Sequence, residues 1–569
     1  MKLTDALAKR LLEHGIRHIF GLQGGAVVHI FDSLERLGAG VTYAHHEQTA
    51  ALAAASYAKV TENVGCAVVT TGPGSTNAIT GLLGAWQDSV PCLFLSGQAR
   101  LKHTSYGRKV RQVGTQEVNI CDVVRPLTKY TNMVESATMF VEELEKALFI
   151  ARSARPGPVW LDLPLDLQWA EVDNEREVKN TLDFEAYNVL EFERSLDSLK
   201  TARKPLLVLG FGVRLAKCVE RIRRLIEHHR LQFVTTWTAA DLFPSDHPMN
   251  LGIIGMSGQR GANKAVFKAD LLLCLGTHLS IPHTTTLYDT YAPAAHKIIV
   301  NIDEDQLENL NVRFDQRIHA DLSIYVDWLA RRLIGSFEWP DGLTLKSENW
   351  YEPVKTERPN SNVVIRRLTE LIKEPLCLII DGGGTALYAG FQSSKLKLGD
   401  RVICSSAISA MGTGLAETIG VAMSAQFKRH LCVIGDGSFL MNVQDLQSIR
   451  HETINVIILV VNNNGYQAIR HTQKEFMAGR YFGTHPDWKL SMPSIAAVAS
   501  AFEIPYVILN KADQAEAVLS DLVKSRGPII CELVVDENQE VLFKQGYKPN
   551  GDGTHSPMPL TEMAPFLHK

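Results

Sequence analysis

The chain has no apolar run approaching the roughly 20 residues of a membrane-spanning helix, so nothing in it asks for a bilayer. It has no excess of either charge, since 58 Lys and Arg against 62 Asp and Glu leave −4. Nucleic acid and anionic lipid surfaces attract a basic excess, and neither is expected as a partner. No CxxC pair occurs among the nine scattered cysteines, which argues against metal clusters and disulfide frameworks. Free buried thiols in a reducing cytoplasm are the plain expectation. Met1-Lys2-Leu3-Thr4-Asp5-Ala6 begins an amphipathic helix and lacks a signal-peptide apolar core. No short-period repeat is present. What is there is an ordinary globular composition, 45% hydrophobic and 21% charged, in 569 residues. That length is too great for one core and predicts about three domains.

Patterning places three α/β units. Residues 1–170 alternate helix and strand and end at Leu163-Pro164-Leu165-Asp166. A polar, charged stretch over 171–190 reads as a linker. The second unit, 190–335, opens on the strand Lys204 to Gly210, has strands at 271–275 and 297–302, and closes near Leu333. Another charged, proline-containing linker covers 336–360. The third unit, 360–540, ends on a strand at 529–535, and 541–569 is a C-terminal tail.

The third unit holds the most informative stretch. Gly435-Asp436-Gly437-Ser438 follows the apolar strand Leu431-Cys432-Val433-Ile434. Phe439, Leu440, Val443, Leu446 and Ile449 then recur at helical spacing. Ile457 to Val461 reads as a buried parallel strand, and Asn462-Asn463-Asn464-Gly465 follows it. This is one βαβ unit, which brings Asp436 and Asn463 to the carboxyl ends of neighbouring strands, where open α/β sheets bind small ligands. One carboxylate, one amide oxygen and a nearby carbonyl suit Mg²⁺, which keeps substrate phosphates as further partners. Gly437 and Ser438 open the helix, whose free N–H groups can receive a diphosphate.

The pattern resembles the thiamine-diphosphate signature, GDG followed by NN, because Asn463 stands 27 residues after Asp436. Thr71-Gly72-Pro73-Gly74-Ser75-Thr76-Asn77, Gly114-Thr115-Gln116-Glu117, Gly157 to Pro164, Asp381-Gly382-Gly383-Gly384-Thr385 and Met411-Gly412-Thr413-Gly414 run in the same family's order. The chain is similar over nearly its whole length to the acetolactate synthase-like branch of these enzymes. The resemblance implies three doubly wound parallel-sheet domains: pyrimidine-binding, Rossmann-like middle and diphosphate-binding. It implies Asp436, Asn463 and the Gly465 carbonyl as Mg²⁺ ligands. Gly24, Gly25, Pro73, Asn77, Gly383, Gly384, Thr385, Gly435, Gly437, Ser438 and Tyr466 join them as cofactor-binding residues. Ser409 offers a carbonyl to the cofactor amine, and Met411 holds the cofactor bent. Glu47, in His45-His46-Glu47-Gln48, bonds the aminopyrimidine ring and promotes the reactive carbanion, a role that needs a dry pocket. Gln116 contacts substrate and His46 supports. His45, His278 and His283 are further candidates for proton relay, since His titrates near neutral pH. Glu47 meets the diphosphate site of a neighbouring subunit, which implies an obligate homo-oligomer, a dimer or a dimer of dimers.

Two departures bear on substrate. Acetolactate synthase has a Trp nine residues after the metal Asn, where this chain has Thr472, and an Arg in the middle domain, where it has Pro282. An Arg–carboxylate clamp has no substitute in Pro. The wording Asn463 to Arg470 and the tail Ser556 to Leu560 are similar to enzymes of sugar and polysaccharide pathways that add a two-carbon acyl unit to a nucleotide-linked keto sugar. The expected activity is decarboxylation of a 2-oxo acid, pyruvate first, with transfer of the acyl unit to a carbonyl acceptor. Acetolactate synthesis proper and cleavage of a diketone are the alternatives, and a non-catalytic binding role is disfavoured because Glu47, Asp436 and Asn463 are all present. Gly210 to Arg214 and Gly255 to Asn263 resemble segments that hold a structural FAD in relatives, although the family's Arg near that flavin is His278 here.

Overall fold

Strands such as Pro205–Leu209 and Leu271–Leu275 are apolar without alternation and buried at every position, the mark of strands covered on both faces. A computed structural model, describing residues 1–173, 187–552 and 554–566, assembles such strands into three six-stranded parallel sheets. The first has β1 (His18–Gly21), β2 (Gly40–Tyr43), β3 (Gly65–Val69), β4 (Cys92–Gln98), β5 (Tyr130–Met133) and β6 (Val159–Pro164), in the order β2-β1-β3-β4-β6-β5. The second has β7 (Pro205–Leu209), β8 (Gln232–Thr235), β9 (Asn250–Ile253), β10 (Leu271–Leu275), β11 (His296–Asn301) and β12 (Gln316–His319). Its order, β9-β8-β7-β10-β11-β12, is the 3-2-1-4-5-6 order of dinucleotide-binding sheets. The third has β13 (Leu376–Ile380), β14 (Arg401–Ile403), β15 (Arg429–Gly435), β16 (Val456–Asn462), β17 (Tyr506–Leu509) and β18 (Ile529–Val534). Its order, β14-β13-β15-β16-β18-β17, repeats that of the first sheet position for position.

The first and third units are clamped together by two helices rich in small residues, Glu47–Thr61 and Thr413–Met423. A Cβ on Gly420 would lie 2.1 Å from the Ala53 carbonyl oxygen, so the backbones touch. Ser56 Oγ donates to Glu417 O at 3.0 Å, and Thr49 Oγ1 to Asp445 Oδ1 at 2.7 Å. One continuous apolar core runs through this junction.

Three local expectations change. The single helix expected after Gly437 is two, Asp436–Met441 and Asp445–His451. Asn442 breaks it, leaving helical geometry at φ −132° and donating through Nδ2 to Gly412 O at 2.7 Å. The stretch 336–360 is docked rather than a free linker. Trp339 and Leu345 are buried in it, and helix Gly342–Ser347 presses so closely that a Cβ on Gly261 would overlap Leu345 O. The tail folds back onto the middle unit. Gln545 N donates to Met256 O at 3.0 Å, and Arg260 Nη2 to Met563 O at 3.2 Å. The polar stretch expected over 171–190 falls mostly on 174–186, outside the described residues. All nine cysteines are buried and unpaired. Among the described residues, no helix is long and apolar enough to cross a membrane.

Candidate functional site

The turns after β13, β14, β15 and β16 converge at the carboxyl edge of the third sheet. Asp436 is 3% exposed, and its two carboxylate oxygens are already oriented. Gly437 N donates to Oδ1 and Gly465 N to Oδ2, both at 2.9 Å, so the carboxylate ties the GDG turn to the NNG turn. Burial pushes Asp436 up to about 6, against the pull of the Gly465 and Gly437 N–H groups and of Arg470. Asn463 is 4% exposed, and its Oδ1 is buried without a hydrogen-bond partner. An orphaned buried acceptor costs about 1–3 kcal/mol, and a cation in reach of it and of Asp436 would remove that cost. Arg470, itself buried, stiffens the turn by donating to the carbonyls of Asn463 (2.6 Å), Asn464 (3.1 Å) and Thr484 (3.0 Å). The donor set fits a hard divalent cation.

Beside it is a cradle shaped by missing side chains. A Cβ on Gly383 would lie 2.4 Å from Ser438 Oγ and 3.1 Å from Met411 Cγ, so these three expected residues meet. A Cβ on Gly437 would lie 2.2 Å from the Tyr466 ring, while Gly435 faces open space. Thr385 Oγ1 donates to Gln467 Oε1 at 2.9 Å. Gly384 has φ +37°, and Ser409, exposed, has φ +45°. Asp381 went unassigned in the sequence and organises this cradle. Fully buried, it accepts from Gly383 N at 2.9 Å and Gly414 N at 3.0 Å, and burial raises its pKa against bonds from Ser438 and Gly412. An acid directly after an apolar strand and before three glycines was the available signal.

The carboxyl edge of the first sheet gathers the other expected residues. Glu47 opens its helix, is 8% exposed and accepts at Oε2 from Asn77 Nδ2 at 3.0 Å. His46 caps the same helix, its Nδ1 accepting from Gln48 N at 3.1 Å. Pro73 starts the short helix Pro73–Asn77. Gln116, exposed and at φ +60°, packs against the turn that precedes that helix, where a Cβ on Gly72 would lie 2.2 Å from the Gln116 carbonyl oxygen. Gly24 packs against Thr70, and Gly25 faces open space. Glu47 makes its hydrogen bond within the first unit.

A cavity of about 680 Å³ opens where β7 and β10 part, and Gly212, Gly276, His278, Pro282 and His283 line it. Burial holds His283 at about 3, with His278 adding repulsion, and it lowers His278 also. Burial thus disfavours the charged form of both imidazoles. Pro282 O accepts from Met256 N at 2.9 Å. Thr472 is exposed on helix Gln467–Phe476.

The chain matches the thiamine pyrophosphate enzyme N-terminal TPP binding domain over residues 1–123, the central domain over 192–329 and the C-terminal TPP binding domain over 382–533. With three six-stranded sheets and this paired turn, fold and site define a thiamine diphosphate-dependent enzyme. Similar proteins include the acetolactate synthase isozyme 2 large subunit of Escherichia coli, 29% identical over 93% of this chain and 95% of that one. Acetolactate synthase 1, chloroplastic, of Zea mays is 30% identical over 95% and 86%. The probable acetolactate synthase large subunit of Methanocaldococcus jannaschii is 28% identical over 94% and 92%. The chain belongs to the acetolactate synthase family.

Proposed function

We propose that this enzyme decarboxylates a 2-oxo acid, pyruvate first, and transfers the acyl unit to the keto group of a phosphate-bearing acceptor such as a nucleotide-linked sugar. Mg²⁺ would be held by Asp436, the free Oδ1 of Asn463 and the Gly465 carbonyl. Thiamine diphosphate would lie along Gly383, Ser438 and Met411. When bound, that cofactor supplies the carbanion chemistry. The chain's own part is orientation and proton control. Asn77 fixes Glu47 Oε2, which leaves Oε1, without a hydrogen bond among the described residues, to share a proton with the cofactor ring. As the family resemblance implies, the working site would pair the Glu47 edge of one copy with the Asp436 edge of a second.

The observation that carries the choice of acceptor is one loop. Arg100, Lys102, Arg108, Lys109 and Arg111 are all exposed, and no acid occurs from 99 to 116. Buried Glu117 pins the loop's ends, accepting from Ser105 N at 3.2 Å, Ser105 Oγ at 3.0 Å and Val113 N at 2.7 Å. The cations therefore stand on an anchored loop next to Gln116. A small monoanion does not require them, and a diphosphate would use them. Pro282 and Thr472 in place of Arg and Trp point the same way.

Acetolactate synthesis is the second reading, favoured by the family relatives. The 680 Å³ cavity is within the roughly 300–1,000 Å³ of ordinary ligand sites, and its place at the switch point fits a flavin dinucleotide. The test is product analysis with pyruvate, with and without a keto sugar nucleotide, alongside the visible spectrum of the purified protein. The expected product is the branched sugar, lost in Glu47→Gln with cofactor binding retained. Acetolactate as the main product would overturn the acceptor, and diketone cleavage the direction.

A further inference from the structure

Gln116 keeps a backbone that its side chain does not favour. Its φ of +60° is left-handed, and a non-glycine residue stays there only where its surroundings fix it. Those surroundings converge on the buried amide of Gln98.

β4 and β6 are neighbours, with Ser96 opposite Asp162. Side chains alternate along a strand, so Ser96 and Gln98 share the face on which Asp162 lies. All three are fully buried. Gln98 is saturated. Its Nε2 donates to Asp162 Oδ2 at 2.8 Å and to Val118 O at 2.9 Å, and its Oε1 accepts from Thr71 Oγ1 at 3.0 Å and from Ala99 N at 2.8 Å. Turned over, the amide would set its NH₂ against the Ala99 N–H and its oxygen against the Asp162 carboxylate, so that carboxylate fixes which way it points. Asp162 is itself held, accepting at Oδ1 from Ser96 Oγ at 2.5 Å and at Oδ2 from Tyr106 OH at 3.4 Å. Burial lifts its carboxyl to about 7 against these bonds, with Glu117 adding repulsion.

The Thr71 hydroxyl carries the network onward, reaching Gln116 O at 3.4 Å as well as Gln98. Gly72 follows, pressed against the same carbonyl, and leads into Pro73–Asn77, whose Asn77 holds Glu47. One amide therefore grips the chain on both sides of Gln116, at Thr71 across the turn and at Val118 two residues on.

We propose that Gln98, aimed by Asp162 and extended by Thr71, is the positioning residue for Gln116, holding its left-handed turn against the turn that carries Asn77 and so setting substrate affinity. The inference rests on the reading that Gln116 contacts substrate.

Thr71→Val removes the hydroxyl that joins Gln98 to Gln116, and Asp162→Leu removes the acceptor that aims the amide. In pyruvate-dependent carbon dioxide release at pH 8, with Mg²⁺ and thiamine diphosphate saturating, loss of one such bond should raise KM for pyruvate about tenfold and leave kcat within about threefold. Asp162→Asn, which keeps an acceptor for Gln98, should return KM to within about threefold of the parent. Added to Gln116→Ala, neither Thr71→Val nor Asp162→Leu should raise KM further, because the side chain they position is gone, whereas a packing defect would add. Thr71→Val keeps the test open if Asp162→Leu does not fold. An unchanged KM in Thr71→Val where Gln116→Ala raises it, or additive losses, would overturn the proposal. An unchanged KM in Gln116→Ala would sink the reading of Gln116 and the inference with it. If the parent does not consume pyruvate, the proposed function fails and hydrogen exchange over 113–118 decides the positioning: faster exchange in Thr71→Val but not in Asp162→Asn supports it, and equal rates overturn it.

Discussion

Asp381→Asn changes no volume and tests whether one buried carboxylate holds the cradle together. The carboxylate receives N–H groups at both oxygens, from Gly383 at 2.9 Å and Gly414 at 3.0 Å. An amide keeps one acceptor and turns a donor toward the other N–H. Losing a hydrogen bond to a charged group costs about 1.5–3 kcal/mol, and a buried donor left unsatisfied about 1–3 kcal/mol more. If about 3 kcal/mol of this falls on the Gly383 and Gly412–Gly414 turns that shape the cradle, thiamine diphosphate affinity drops roughly a hundredfold, at about 1.4 kcal/mol per tenfold. Calorimetric titration at saturating Mg²⁺, with circular dichroism to confirm folding, measures it. A folded Asp381→Asn protein binding within twofold of the parent would refute the idea that Asp381 organises the site.

Asp436 predicts a pH dependence of metal binding. Its carboxyl is lifted from the ordinary 3.8 to about 6, so below pH 6 a cation must displace a proton. Mn²⁺ affinity, followed by electron paramagnetic resonance without thiamine diphosphate, should be flat above pH 7 and fall about tenfold between pH 7 and 5, a slope absent in Asp436→Asn; the same slope in that variant would remove Asp436 as its source. Lys59, buried, donates to Asp88 Oδ2 and Cys404 O, both at 2.8 Å, near Glu417, whose carboxyl burial lifts to about 7. Lys59→Met strands these acids at a cost of about 3–5 kcal/mol, so thermal inactivation should be much faster, and an unchanged half-life would contradict it.

Asp436 and Asn463 were legible because a βαβ unit is local, and its turns fall at a spacing that reads along the chain. Glu47 was legible through its neighbours' wording alone, and its bond to Asn77 was not. The meeting of Gly383, Ser438 and Met411 needed three strands brought side by side, and no periodicity carries that. Asp381 looked like any acid in a turn until two backbone N–H groups were seen on it. The break at Asn442 was hidden because Phe439, Leu446 and Ile449 are buried on both sides of it, so the apolar spacing runs on where the hydrogen bonds do not. The docking of 336–360 was masked by its charge, since Trp339 and Leu345 do the packing. The shared strand order of the outer units has no trace in the residues, because order depends on which edges pair and a strand's own pattern records only that it is covered.

The backbone contact at Gly420 and Ala53 removes the layer of side chains over which packed helices ordinarily shear. The outer units must then travel as one slab. Any breathing that admits substrate belongs to what hangs on that slab: the cationic loop, the middle unit and the folded-back tail. Hydrogen exchange would read this as a slow, undivided plateau across Glu47–Thr61 and Thr413–Met423, with faster opening elsewhere.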